Sequence, residues 1–242
     1  MNLLSGCDMI KISMNGEPMK KNISSLSEEV YQHLLDQIFS NQLKPNEKIA
    51  ESKIAAEFNT SRTPIREAMR KLQSQGLINI YPNRHAEVAS FTTKEIQDIG
   101  TLRISLDLLS IKLAALYGSR ADFIYLQDLA NQCLQAFYNN NGYLRRKLDT
   151  DFHMELCRIS QNELLYQMQK DLSLKIQFIL LHYEFPIENE EEHLKQHLTI
   201  IDCIMNNEID KAKKISIQHL MEFYHLDIKD PEEFFMKQEN DF

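Results

Sequence analysis

Apolar side chains recur with a helical period along most of the chain. From Ser27 onward Val30, Leu34, Leu35 and Ile38 repeat at i, i+4, i+5 and i+8, a single stripe that ends in the turn-like QLKPNEK at 42–48. A second short helix, ESKIAAEF, carries Ile54, Ala55 and Phe58 on one side. In SRTPIREAMRKLQSQG, Ile65, Ala68, Met69 and Leu72 fall at i, i+3, i+4 and i+7, with Thr63 expected as N-cap, Pro64 in the first helical position and Gly76 just past the end. LINIYPNRHAEVASF then reads as two short strands about a Pro-Asn-Arg-His turn. After Phe91 the helical period returns and lasts almost to Asp230, with breaks that predict six helices near 94–118, 122–138, 143–159, 163–184, 190–206 and 208–226. Such spacing fits an antiparallel bundle with short connections.

The expected fold is therefore mainly α, an N-terminal winged helix-turn-helix followed by an all-α antiparallel bundle. Residues 1–23 show no sustained period and read as a flexible leader, with Met14 and Met19 as alternative starts. Residues 24–91 form the first domain, 94–229 the second, and 230–242 an acidic, frayed tail.

Composition supports this picture. Apolar residues make up 43% and charged residues 26%, the balance of a folded globular protein, and only six Gly and six Pro punctuate 242 residues, too few for a β-rich or loop-rich fold. The longest apolar runs, such as FILL at 178–181, are far short of the ~20 residues that cross a bilayer. Cys7, Cys133, Cys157 and Cys203 lie far apart without a CxxC pair or a signal peptide, and read as reduced thiols of a cytoplasmic protein.

Charge changes the picture in one respect. A net charge of −8 argues against a nucleic-acid partner, yet residues 20–90 carry ten Lys/Arg against eight Asp/Glu, whereas residues 91–242 carry sixteen against twenty-five. A mildly basic front end is joined to an acidic body. Arg62, Arg66 and Arg70 fall four apart on the face opposite the apolar stripe. In a helix-turn-helix the second helix enters the major groove, where such a row neutralises phosphates and pairs bidentately with guanine. The bland alternative is a solvated face, with Arg66 and Arg70 paired to Glu67 or other carboxylates.

SRTPIREAMRKLQSQGLINIYPNRHAEV, preceded by NQLKPNEKIAESKIAAEF, closely resembles the DNA-binding signature of the GntR superfamily of bacterial transcriptional regulators. Two positions depart from it: Asn46 and His85 stand where Gly is usual. The resemblance implies DNA contacts from Glu51, Ser52, Arg62, Thr63, Pro64, Arg66, Arg70, Arg84 and His85. The body resembles the FadR-type C-terminal domain, FCD, through Arg103 and Asp107, DTDFH at 149–153, Asn162, and His197 and His219. Together the two resemblances span about residues 25–228.

Asp149 and His153, four apart, leave one helix face a turn apart, as two ligands of one metal can. His197 and His219 lie on later helices able to pack antiparallel. By resemblance these four hold a divalent transition metal, zinc first, with nickel, manganese and iron also suited to one carboxylate and three imidazoles. The alternative is that they are ordinary structural or solvated side chains. His193, four residues before His197, competes as a ligand; Asp151 points away from the site, and His33, His182 and His225 read as surface or packing residues. Tyr117, Phe123, Tyr125, Phe137, Tyr138 and Phe178 read as core and dimer-interface residues.

Open metal positions would admit a small carboxylate effector, with Arg103 either clamping its far end or bridging Asp107. The implied function is a ligand-responsive regulator that binds a palindromic operator in double-stranded DNA as a homodimer, without a membrane partner. Two other classes compete. A metal-dependent enzyme acting on a small organic acid would need a general base, but no HExxH is present and the helix position of Glu155 points it away. A purely structural metal would only stiffen the bundle.

Overall fold

A computed structural model describes residues 23–82, 85–183 and 186–236. The leader with its alternative starts, Arg84 and the end of the tail lie outside the described residues. Ten helices and three strands are found among those described. The first half comprises α1 (Ile23–Phe39), β1 (Lys48–Ile49), α2 (Glu51–Glu57), α3 (Arg62–Ser74), β2 (Ile78–Ile80) and β3 (Ala86–Val88). The second comprises α4 (Thr93–Tyr117), α5 (Arg120–Tyr138), α6 (Gly142–Ile159), α7 (Glu163–His182), α8 (Glu190–Met205), α9 (Ile209–Tyr224) and α10 (Pro231–Met236). The six predicted bundle helices are all present, and the tail begins as a short helix, not as frayed chain.

Caps explain the boundaries. Thr92 with Glu95 and Ser119 with Asp122 form capping boxes at α4 and α5, and Asn141, Asn162 and Asn189 accept from backbone N–H groups at α6, α7 and α8. Asn41, Asn59, Asn140 and Asn207 take positive φ just after helices, doing the work that glycine usually does at C-termini. That is how so few glycines suffice. Asn46 fits the same rule: at φ 65° it adopts the left-handed conformation, its N–H donates to Val88 (3.0 Å), and its side chain accepts from Ser90 (2.9 Å). The departure from Gly therefore preserves the turn.

Two expectations need correction. The wing is three-stranded, with order β1-β3-β2 and both pairs antiparallel, because Lys48 and Ile49 pair with Glu87 and Ala86. A two-residue strand is too short to show alternation. Helix α3 begins at Arg62 after an extended Ser61 that makes no side-chain cap bond, so Thr63 is not the N-cap and Pro64 is not in the first position. Pro64 remains within the first turn, whose N–H groups have no intrahelical acceptor, so its ring costs no hydrogen bond. Gly76 does follow α3 at φ 72°, and Gly76 and Leu77 close the turn onto Gln73 (2.9 Å) and Leu72 (3.0 Å).

One buried apolar cluster runs from Val30, Leu34, Ile65 and Leu72 through Val88 into Phe178, Ile179, Leu220 and Tyr224, so the two halves share a core. Helix α7 makes much of that join: the Phe91 N–H donates to the Tyr183 hydroxyl (2.6 Å), the Phe91 ring meets Phe178 edge-on (5.7 Å), and Lys175 lies over Gly76. Helix α4 runs through the bundle against α6, α7 and α9. Gly100 lets Tyr224 approach it closely, since a Cβ there would stand 2.5 Å from the Tyr224 ring. Gly100→Ala should gain about 1 kcal/mol in helix propensity but lose about 1–3 kcal/mol to overpacking. A lower melting temperature is expected in a calorimetric scan; an unchanged or higher one would mean that Tyr224 has room to move.

Candidate DNA-binding face and metal centre

Helix α3 presents Arg62, Thr63, Arg66 and Arg70 outward, while Ile65, Ala68, Met69 and Leu72 pack beneath. Glu51, Ser52, Arg62, Arg66, Arg70 and His85 line one open groove between this helix and the wing. Pro64 is buried and faces the core, so it supports the helix and does not lie in the groove. Glu51 accepts from Arg66 Nε (3.0 Å) and holds the guanidinium at the groove wall, so the carboxylate partner expected for a solvated face is Glu51 and not Glu67. Arg62 and Arg70 have no carboxylate partner among the described residues.

The wing adds a group that the sequence did not announce. Glu87 accepts from the Tyr81 hydroxyl (2.8 Å) and approaches His85 Nε2 (3.1 Å), while the Tyr81 and His85 rings lie 5.1 Å apart. The Tyr81 hydrogen bond, aided by that of His85, lowers the Glu87 pKa. Where the family usually has Gly, His85 is thus a half-buried ring braced against its own strand.

In the bundle, Asp149 and His153 from α6, His197 from α8 and His219 from α9 each place one donor atom within 4.8 Å of the others. The three imidazoles are buried and Asp149 is 13% exposed. His197 Nε2 lies 3.1 Å from His219 Nε2 and 3.5 Å from Asp149 Oδ1. Two nitrogens bound about 2.0–2.1 Å from one ion would stand roughly 3.0–3.4 Å apart, so the spacing suits shared coordination. His153 Nε2 is buried with no hydrogen-bond partner, which leaves its lone pair free for an ion at this point.

The backing groups fit as well. His153 Nδ1 meets Asp107 Oδ2 (2.6 Å), whose other oxygen accepts from Gln169 Nε2 (2.6 Å); His219 Nδ1 faces Gln196 Oε1 (3.0 Å). A carboxylate behind an imidazole fixes its tautomer and raises its basicity. Burial pushes His197 down to about 3 against the pull of Asp149, and burial together with the neighbouring imidazoles pushes His219 well below its ordinary value, so both present neutral, ligand-competent rings. Burial opposes ionisation of Asp149, but His153, His197 and Arg103 outweigh it and hold the carboxyl at about 2.

The geometry bears on two of the alternatives. Arg103 does not bridge Asp107: it is buried, lies 3.7 Å from Asp149 and donates to the Tyr224 hydroxyl (3.0 Å). His193 stands outside the donor group, stacked on His219 at 3.9 Å with Nδ1 toward Glu222 (3.3 Å). Asp151 pairs with Lys147 and Glu155 with Arg158, both away from the cluster. Gln169, Gln196 and Tyr224 carried no signal in the sequence, because uncharged partners leave no mark on a charge pattern. Asp107 did, through the FCD pattern that sets it one turn beyond Arg103.

Comparison with known proteins agrees with both halves. Residues 26–88 match the model of bacterial regulatory proteins of the gntR family, and residues 98–222 match the FCD domain. The HTH-type transcriptional regulator YdhC of Bacillus subtilis is 27% identical over 79% of this chain and 86% of its own length. The Nta operon transcriptional regulator of Aminobacter aminovorans is 26% identical over 76% of this chain and 86% of its length. Among solved structures, McbR/YncC of Escherichia coli has a TM-score of 0.65 at 21% identity, covering 81% of this chain and 93% of that one. These families and relatives are transcriptional regulators, not enzymes. With a winged helix bearing the arginine row at one end and the Asp/His cluster inside the bundle at the other, the chain belongs to the GntR family of bacterial regulatory proteins, as a transcriptional regulator with an FCD domain.

Proposed function

We propose that this regulator responds to a small carboxylate at a metal centre held by Asp149, His153, His197 and His219, and binds a palindromic operator as a homodimer. The observation that carries the reading is the convergence of three imidazole nitrogens and one carboxylate on one buried point, with Asp107 behind His153. Zinc is the first candidate for that donor set, with nickel, manganese and iron also accommodated. A bound ion would supply positive charge for a carboxylate effector. Arg103, buried beside Asp149, would add a second positive group that stays charged despite burial, because Tyr224, Asp107 and Asp149 hold its pKa up.

Coupling to DNA has a material path. Asp107 ties the centre to Gln169 on α7, the end of the same helix meets the linker through Tyr183 and Phe91, and Lys175 lies over Gly76 just past α3. An effector can shift the heads only through its differential affinity for two arrangements of this join.

Dimerisation is supported by α4, where Leu102, Leu109 and Leu116 stand exposed at seven-residue intervals, and by exposed Tyr117, Ile124 and Tyr125 nearby. Of the aromatics read as core or interface, Phe123 and Phe178 are core, and Tyr117, Tyr125 and Tyr138 face outward. Two half-sites give specific affinity that one winged helix cannot. Leu109→Arg should convert a dimer to monomers in sedimentation and weaken operator binding with it; an unchanged mass would move the interface off α4.

A further inference from the structure

A second pocket, of about 590 Å³, opens where the start of α6, the ends of α7 and α9 and the start of α8 meet. None of the four candidate metal ligands lines it. Its volume lies within the roughly 300–1,000 Å³ of small-molecule sites. One wall is apolar, with Leu180, Ile187 and Phe223; the other carries Arg145 and Arg146.

That cationic wall is unbalanced. Both arginines lie near the N-terminus of α6, where the helix dipole already supplies positive charge and disfavours cations. Glu190 pairs with Arg145 at 2.9 Å, whereas half-buried Arg146 has no carboxylate at ion-pair distance among the described residues. Burial, then the neighbouring Arg145, lowers the Arg146 pKa, and Glu190 offsets this only in part. An anion arriving in the pocket would meet the Arg146 guanidinium, with Arg145 and its partner Glu190 beside it.

We infer that this pocket is a second ligand site, for a small organic acid whose carboxylate sits on Arg146 and whose apolar body lies against Leu180, Ile187 and Phe223. It adjoins the Asp/His cluster, since Phe223 stacks on His193 and His193 on His219, but it shares none of the four candidate ligands. It is also placed to act on DNA binding, because Tyr183, which lines it, is the residue that holds the Phe91 N–H of the linker.

Dansylglycine, an aromatic carboxylate, is the probe; the chain has no Trp, so its fluorescence is read without interference. Titrations are run with EDTA present, using neutral dansylamide as the uncharged control and His153→Ala protein to remove the cluster. Saturable binding of dansylglycine is expected, about tenfold or more weaker in Arg146→Ala, partly kept in Arg146→Lys, unchanged in His153→Ala, and about tenfold or more weaker for dansylamide. Equal binding by Arg146→Ala, equal affinity for dansylamide, or no saturable binding of dansylglycine would overturn the proposal. Loss of binding in His153→Ala with Arg146→Ala unaffected would place the acid at the metal cluster instead.

Discussion

Arg66→Ala should weaken operator binding by about 1–3 kcal/mol, roughly 5- to 150-fold, when measured by fluorescence anisotropy at fixed salt. The residue stands in the middle of an exposed row with Arg62 and Arg70, and Glu51 holds its Nε so that the fork is oriented before DNA arrives. Preorganisation of that kind is worth most for a bidentate contact, and lysine lacks the fork, so Arg66→Lys should not restore affinity. Glu51→Ala should cost less than Arg66→Ala, since it frees the side chain without removing it. If Arg66→Ala bound the operator as tightly as the native protein, Arg66 would leave the contact set and the solvated-face reading would stand for it.

Asp107→Asn should lower metal affinity about 10- to 100-fold in competition with a colorimetric chelator, although Asp107 is not itself among the donors. Its carboxylate accepts from Gln169 and backs His153 Nδ1; an amide can still take part in hydrogen bonding but no longer supplies negative charge behind the ring. His219→Ala removes a donor and should cost more. Acid acts on the same rings. His197 and His219 are held neutral when folded, with pKa values depressed below the ordinary 6.5, so unfolded chains take up protons first. Metal-free protein should therefore lose stability as pH falls from about 6.5 toward about 3. Equal metal affinity in Asp107→Asn would reduce Asp107 to a packing residue.

Much of this was legible before the fold was seen, for reasons that differ by element. The bundle helices are legible as long apolar stripes separated by breaks, at which the structure places the caps Thr92, Ser119, Asn141, Asn162 and Asn189. The four donors were legible only through the family pattern; spacing relates Asp149 to His153, but nothing local relates either to His197 or His219. Strand β1 was hidden because two residues show no period, and the start of α3 because Thr-Pro imitates a cap and first position when Ser61 precedes it. Partners made by tertiary packing, such as Gln169 on Asp107 and Glu51 on Arg66, have no linear signature at all.

The central claim is that the Asp149, His153, His197 and His219 cluster holds a metal, and elemental analysis by mass spectrometry tests it most directly. Native protein purified without chelator should carry about one divalent ion per chain, and the His153→Ala, His219→Ala double variant, folded by circular dichroism, should carry none. Native protein without metal, or a double variant that retains it, would contradict the account and return the four side chains to an ordinary polar core.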